Sequence, residues 1–260
     1  MTSTGNPTPT LICLHFLGGS ARSWSAVAGK LTGPVSCLPL DLPGFGDAAD
    51  VTGYSVAEMA DDVAARIREA GLGPWMIAGH SMGAKVAAVL ARRAEDGEAA
   101  LTGLRGLVLV AGSPPSPEPM EDSQRNAMLG CFTGAEATWP EQARNYIAAN
   151  VSAPLDPVVQ DRAIVDVLRM QPNAWAAWLR HGSREDWSER VGVLRLPALI
   201  LYGEDDANLG EDAQTRLMAP HFASHRLVKL PGASHLLPME RPDAVAELIA
   251  EHMHLDRTTE

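Results

Sequence analysis

The pentapeptide Gly79-His80-Ser81-Met82-Gly83 constrains the fold of this chain more than any other stretch. The run before it, Pro74-Trp75-Met76-Ile77-Ala78, reads as a short buried strand, and the Ala/Val-rich run 84–91 after it reads as a helix. A strand, a sharp turn and a helix within so few residues need glycines where the two elements approach, because a side chain there would collide. Ser81 is then forced into a strained backbone conformation at the apex, with its hydroxyl exposed above the end of a sheet. A serine between two glycines is a common pattern by itself, so its meaning depends on what the other strands bring to the same end.

Those strands are legible as apolar runs. Thr10-Leu11-Ile12-Cys13-Leu14-His15-Phe16 is bounded by Pro9 and by Gly18-Gly19 and reads as a buried strand. A short helix over 20–31 follows, with Trp24 and Val27 on one face. A second strand over 35–42 ends at the loop signal Pro43-Gly44-Phe45-Gly46. Ser55 and Glu58 have capping-box spacing, and the helix they open carries Met59, Val63 and Ile67 before stopping at Gly71. Further strands are expected over 104–110, 198–202 and 226–230, with helices over 209–220 and 243–254. Val245, Leu248 and Ile249 face inward on the last of these. Strands that are apolar throughout and alternate with helices predict an α/β fold, a mostly parallel sheet of about six strands covered on both faces.

The alternation breaks once. Pro114, Pro115, Pro117 and Pro119 are too dense for a helix or a central strand. From there to about residue 190 the patterning is helical, with Ile164, Val167 and Leu168 on one face. Residues 1–113 and 191–260 are therefore read as the core, and 114–190 as a helical cap or lid near the carboxyl ends of the strands, where such sheets place their sites. Four of the six tryptophans, Trp139, Trp175, Trp178 and Trp187, lie in this insert. Trp139, Trp175 and Trp178, with Met120 and Met128, are the candidates for an apolar substrate pocket. Packing inside the cap itself is the alternative use for most of them.

Serine is a poor nucleophile until a base takes its proton and a third group holds that base. The chain has eight histidines. His80 flanks a tight turn and points away from Ser81. His252 lies on the inward side of the last helix, His221 and His225 flank a helix-to-strand connection, and His181 sits in the insert as a weak substrate-contact candidate. His235 differs, because Pro231-Gly232-Ala233-Ser234-His235 is a loop at the carboxyl end of the sixth strand, the same end as Ser81. It is the candidate base. The fifth strand ends in Gly203-Glu204-Asp205-Asp206, and the orienting carboxylate must lie beyond the strand proper, which favours Asp206 over Asp205. After the fourth strand the first acid is Glu118, past the prolines, so an acid position there reads as empty. A tetrahedral oxyanion needs two backbone donors. One is the N–H of Met82 at the start of a helix. The other comes from the turn His15-Phe16-Leu17-Gly18-Gly19, with Leu17 preferred and Phe16 second, and His15 is expected to shape this turn through backbone hydrogen bonds.

Composition narrows the partners. The 260 residues are 46% hydrophobic and 20% charged, with a formal net charge of −11. That acidity argues against nucleic acid and anionic membrane, both of which need a basic face. Three cysteines without a C-x-x-C pair suggest reduced thiols and a cytoplasmic location. The polar N-terminal ten residues lack the basic and apolar regions of a signal peptide, and no apolar run is long enough for a membrane span. Asn150-Val151-Ser152 matches a glycosylation sequon, which has no weight without secretion.

With these stretches in place the chain resembles the α/β-hydrolase superfamily over nearly its whole length. Five collinear motifs carry the resemblance: Leu14 to Ser20, Asp41-Leu42-Pro43-Gly44-Phe45-Gly46, Gly79 to Gly83, Gly203 to Asp206, and Pro231 to His235 with its continuation Glu240-Arg241-Pro242. The resemblance implies a catalytic order Ser81, Asp206, His235, and an acid three residues after Gly203, which again points to Asp206. There are two departures. His15-Phe16 replaces the His-Gly usual in the oxyanion turn, and only a short segment precedes the first strand, so the N-terminal antiparallel hairpin of the family is expected to be missing or reduced. The implied function is a serine carboxylesterase acting on small-molecule esters through an acyl-enzyme, with no metal or organic cofactor. Lactonase, thioesterase, C–C bond hydrolase and perhydrolase chemistry share the scaffold, and a non-catalytic small-ligand receptor is the alternative from another class. An Asp-nucleophile dehalogenase or epoxide hydrolase is disfavoured by Ser81.

Overall fold

The computed structural model describes residues 9–31 and 35–255, so the polar stretch 1–8 lies outside the described residues. The apolar runs become β1 (Thr10–Leu14), β2 (Ser36–Leu40), β3 (Trp75–His80), β4 (Leu104–Val110), β5 (Ala198–Gly203) and β6 (His225–Leu230). They form one six-stranded sheet in the order β2-β1-β3-β4-β5-β6. Every neighbouring pair is parallel, so among the described residues there is no antiparallel hairpin. The strand order reverses at β1, which has β2 on one side and β3 on the other. A crevice at the carboxyl ends therefore opens between β1 and β3, the usual ligand position in open α/β sheets.

Parallel neighbours require crossovers, and helices supply them. Before β4 these are α1 (Ser25–Lys30), α2 (Val56–Ala70) and α3 (Met82–Glu95). Ser55 and Glu58 form a complete capping box at the start of α2, and Gly71 ends it in the left-handed conformation. Between β4 and β5 lie α4 (Asp122–Gly130), α5 (Trp139–Ala148), α6 (Pro157–Arg169), α7 (Pro172–Arg180) and α8 (Ser188–Val191). The final elements are α9 (Glu211–Ala213), α10 (Leu237–Glu240) and α11 (Pro242–Leu255). Alternate strand residues feed two cores. Leu11, Cys13, Met76, Ala78, Val108 and Leu199 pack with Val27, Val245 and Ile249. Ile12, Leu14, Ile77, Leu107 and Leu109 pack with Met59, Val63, Val86 and Leu90. A sheet buried on both faces is what unbroken apolar strands encode. Among the described residues no helix is long and apolar enough to cross a membrane.

Two expectations change. The helix over 209–220 is broken: α9 gives way to a π turn over Gln214–Met218 and a 3-10 turn over Ala219–His221. The wide turn lets two side chains from adjacent turns reach the end of β4. Gln214 is buried and its Nε2 donates to Gly112 O (2.8 Å) and Leu209 O (2.9 Å). Met218 is buried too, with its Cε 2.8 Å from where a Cβ on Gly112 would stand. The first strand also stops at Leu14 rather than Phe16, because His15 and Phe16 already belong to the turn that follows.

The helical segment 114–190 leaves and re-enters the core through a narrow base. Glu118 N–H donates to Ser183 O (2.8 Å) and Trp187 N–H to Pro115 O (2.8 Å). Beneath it, Lys85 of α3 is fully buried. Its ammonium commits its hydrogens to Gly182 O (3.3 Å), Ser183 O (3.4 Å) and Glu185 O (3.1 Å). Arg125 Nη1 adds bonds to Leu179 O (2.7 Å) and Ser183 Oγ (2.5 Å). Lys85 thus holds the turn that follows α7, while Arg125 meets Leu179 O in the last turn of α7, where the helix dipole is negative. Burial pulls the Lys85 ammonium down to about 8, so it remains largely charged at neutral pH. Replacing it by methionine leaves Glu185 O without its donor and takes the second donor from Gly182 O and Ser183 O. We expect Lys85→Met to lower unfolding stability by about 3 kcal/mol, read as a shifted urea midpoint; an unchanged midpoint would show that this tether is dispensable.

Candidate active site

Ser81 occupies φ 52°, ψ −116°, a left-handed conformation that a residue with a Cβ rarely adopts. Three backbone bonds hold it there. Ser81 N–H donates to Val110 O (2.9 Å), while Ser81 O accepts from Ala84 N–H (2.9 Å) and Ser113 N–H (3.0 Å). The flanking glycines have no substitute: a Cβ on Gly79 would stand 2.4 Å from Gly83 O, and one on Gly83 would stand 2.8 Å from Leu14 O. The serine is thus fixed where α3 is wedged against β1 and β3.

The loops after β5 and β6 meet beside it. A Cβ on Gly203 would lie 2.1 Å from Ser234 O, so the two backbones are in direct contact. Across this contact His235 Nδ1–H donates to Asp206 Oδ2 at 2.8 Å. Asp206 Oδ1 accepts from the N–H groups of Asn208 (3.0 Å) and Leu209 (2.9 Å). Burial alone would raise the Asp206 carboxyl, but His235 and the two amides outweigh it and hold the group below its ordinary range. Burial likewise works to lower the His235 imidazole. Asp206 outweighs it, with Glu118 and Glu240 adding to the same side, so the net shift is upward. The bond to Asp206 fixes the proton on Nδ1 and leaves Nε2 as an acceptor. Asp205 faces elsewhere, accepting from Ser152 Oγ (2.7 Å).

Four of the other histidines bond the backbone. His80 is buried, and its Nε2–H donates to His235 O at 2.8 Å. Burial and the neighbouring imidazole push it down to about 3, so it stays neutral. His221 bonds Gly192 O and His225 bonds Phe222 O, while His252 is buried on α11 and His181 is exposed. His15 shapes the turn after β1: Nδ1–H donates to Phe16 O (2.8 Å) and Nε2 accepts from Leu42 N–H (3.0 Å). Phe16 O also accepts from Gly19 N–H (2.9 Å). The carbonyl of a trans peptide points opposite to its N–H, so the Leu17 N–H is turned away from both donors. The Phe16 ring is buried against Gly19 and His80, beside the turn rather than in the opening.

Above these groups lies a cavity of about 460 Å³ whose lining includes Leu17, Ser81 and His235. Met120, Met128 and Trp178 line it as well. Trp139 and Trp175 do not, which corrects their assignment to the pocket. Both belong to an aromatic cluster inside the helical segment: Phe132 meets Trp139 at 5.9 Å and Trp175 at 5.0 Å, and Tyr146 meets Trp175 at 5.0 Å between centroids. Trp175 and Trp178 share the inner face of α7, and Trp175 is held back by its Nε1–H bond to Met128 O (2.9 Å).

Three residues of the site left no readable trace in the sequence. Glu118 lines the cavity, brought there by the backbone bond to Ser183 that closes the insert. Asn150 O accepts from both His235 N–H and Leu236 N–H (3.1 Å each), tying α5 to the histidine loop. Glu240 takes Ser234 N–H (3.1 Å) and Ser152 N–H (2.8 Å). Asn150 lay in the quoted sequon, Glu240 in a quoted motif and Glu118 past the prolines, and none of these positions disclosed the contact it makes.

Residues 11–248 match the Alpha/beta hydrolase family profile. The chain belongs to the alpha/beta hydrolase family. The hydrolase is 28% identical to a 2-succinyl-6-hydroxy-2,4-cyclohexadiene-1-carboxylate synthase from Enterobacter sp. (strain 638), covering 98% of this chain and 95% of that protein. It is 28% identical to a pimeloyl-[acyl-carrier protein] methyl ester esterase from Edwardsiella ictaluri, over 93% of this chain and 92% of the relative. Among solved structures, a thermophilic esterase from Thermogutta terrifontis superposes with a TM-score of 0.78 at 26% identity, covering 97% of this chain and 92% of that one.

The charge balance at the hydrolase's histidine has a measurable sign. His235 should titrate above the ordinary imidazole value in an NMR pH titration, while His80 should stay neutral down to about pH 3. In Asp206→Asn the opposing charge is gone and burial dominates, so the His235 midpoint should fall below the ordinary value; a midpoint that does not move would contradict this electrostatic account.

Proposed function

We propose that this hydrolase is a carboxylesterase in which Ser81 is the nucleophile, His235 the general base and Asp206 the group that orients it. The observation that carries the reading is the 2.8 Å bond from His235 Nδ1–H to Asp206 Oδ2, at the floor of a cavity that Ser81 also lines. It leaves Nε2 ready to take the serine proton. Ser81 Oγ attacks the ester carbonyl, the alcohol departs with the proton carried by His235, and water activated by the same imidazole releases the acid. The tetrahedral oxygen would be met by the Leu17 N–H, turned away from the His15 side, and by the Met82 N–H, which as the first amide of α3 has no partner within its helix. Phe16 is the weaker choice, since its ring packs beside the turn. The helical segment would act as the cap that shapes the acyl and alcohol pockets, with Trp178, Met120 and Met128 as apolar walls.

Relatives in the family act on chemically different molecules, and the lining separates them. It contains Glu118 and no lysine or arginine. A carboxylate-bearing molecule, of the kind the Enterobacter relative is named for, would enter without a counter-charge and face an acid. The lining supports neutral esters over such compounds. Ser81→Ala should reduce hydrolysis of p-nitrophenyl butyrate roughly ten-thousand-fold or more while leaving the circular dichroism spectrum unchanged. Retained activity would rule out the serine mechanism. Loss of labelling by a fluorophosphonate in the same variant would separate a catalytic serine from a ligand receptor.

A further inference from the structure

His80 is the residue before Ser81, at the end of β3, and it is fully buried. Its ring stands among those of Phe16, His235 and Trp24, with centroids at 5.1, 5.4 and 6.5 Å. A phenyl ring would suit such surroundings at least as well. Burial and the His235 and His15 imidazoles outweigh the pull of Asp206 and of the His235 carbonyl and keep His80 neutral, so it carries one ring proton. A carbonyl can only accept, and the 2.8 Å contact with His235 O therefore places that proton on Nε2. Nδ1 is then a buried acceptor that no donor meets among the described residues. An unpaired buried nitrogen is destabilising. The bond to the His235 carbonyl is what an imidazole supplies here and a phenyl ring does not.

That carbonyl has no other support: among the described residues no backbone amide reaches it. His235 is held through its ring by Asp206 (2.8 Å), through its N–H by Asn150 O (3.1 Å) and through its C=O by His80 (2.8 Å). Asp206 belongs to the loop after β5, and Asn150 follows α5 in the helical segment. His80 alone of these lies on the strand that leads into Ser81. One side chain thus spans from the backbone beside the serine to the backbone that carries the imidazole.

We propose that His80 is a positioning residue whose Nε2–H bond to the His235 carbonyl fixes the base relative to Ser81. Its kinetic consequence rests on the esterase reading, and its geometric consequence does not. Reaction rates are steep in such placement, a shift of about 1 Å being worth up to about a hundredfold. His80 does not line the cavity, so the effect belongs in kcat rather than KM. Geometry also has a titration signature. The His235 imidazole is raised by Asp206 after β5, by Glu118 in the helical segment and by Glu240 of α10, against burial. His80 is uncharged where His235 titrates. Removing it takes no charge away, and slackening of the contact with Asp206 lowers the His235 midpoint.

The test compares wild type with His80→Phe, which fills the space without a donor, and with His80→Gln, whose Nε2 offers a donor at similar reach. With p-nitrophenyl butyrate, His80→Phe should lower kcat about thirtyfold and keep KM within about twofold. His80→Gln should restore kcat to within about threefold of wild type. By NMR titration the His235 midpoint should fall by about half a pH unit or more in His80→Phe and stay near the wild-type value in His80→Gln. A kcat in His80→Phe within about threefold of wild type, a loss carried by KM, a glutamine variant no better than the phenylalanine one, or an unmoved His235 midpoint in His80→Phe each overturns the proposal. If the wild type hydrolyses no ester, the esterase reading fails by itself and the titration decides alone: a midpoint lowered in His80→Phe and kept in His80→Gln supports the positioning role, and an unmoved one overturns it. Should His80→Phe fail to fold, His80→Asn, whose amide stops short of the carbonyl, replaces it with the same expectations.

Discussion

The positive φ of Ser81 is the constraint on which the rest of the site depends. It is sustained by a close approach of α3 to β1 and β3 that two glycines permit. Without that approach the first turn of α3 would lie farther from the sheet. The strain is local, of order 1–3 kcal/mol, and the three backbone bonds at Ser81 secure it within the sheet. Everything else at the site is arranged relative to this fixed serine.

The electrostatics follow from the same geometry. Parallel strands deliver their carboxyl ends to one side, so the loops after β5 and β6 bring an acid and an imidazole into contact above β3. Burial of either group alone would move it toward neutrality. Buried together, each holds the other in the direction opposite to the one burial favours, which is why Asp206 stays low and His235 rises. At His80 burial and the His235 imidazole outweigh the pull of Asp206, so it is driven the other way, toward a neutral ring that supports the His235 carbonyl.

The strands were readable because both faces of the sheet are buried: an uninterrupted apolar run flanked by glycine or proline has few other uses. Ser81, Asp206 and His235 could be named because each follows such a run directly. The helical segment was harder. Trp175 and Trp178 lie three residues apart on α7, and both are buried. Which of them meets the cavity depends on how α7 rests on Met128 and Phe132, and periodicity contains nothing about that contact. The π turn at 214–218 adds one residue to a turn without any compositional mark. Glu118 was passed over because prolines separate it from β4, although the chain folds back and the Glu118–Ser183 bond returns it to the strand ends. Asn150-Val151-Ser152 matched a surface motif, yet the Asn150 carbonyl and the Ser152 hydroxyl secure the loops carrying His235 and Asp205.

That last contact makes the helical segment something other than an interchangeable part. One carbonyl at the end of α5 receives two successive amides of the histidine loop, and Glu240 clasps both that loop and residue 152. A chimera that exchanged 114–190 for the corresponding stretch of another hydrolase would put at risk the Asn150 and Ser152 contacts that steady the loop carrying His235. The helical segment and the loop that carries His235 are therefore bound to one another, and neither can be reshaped alone without disturbing the other.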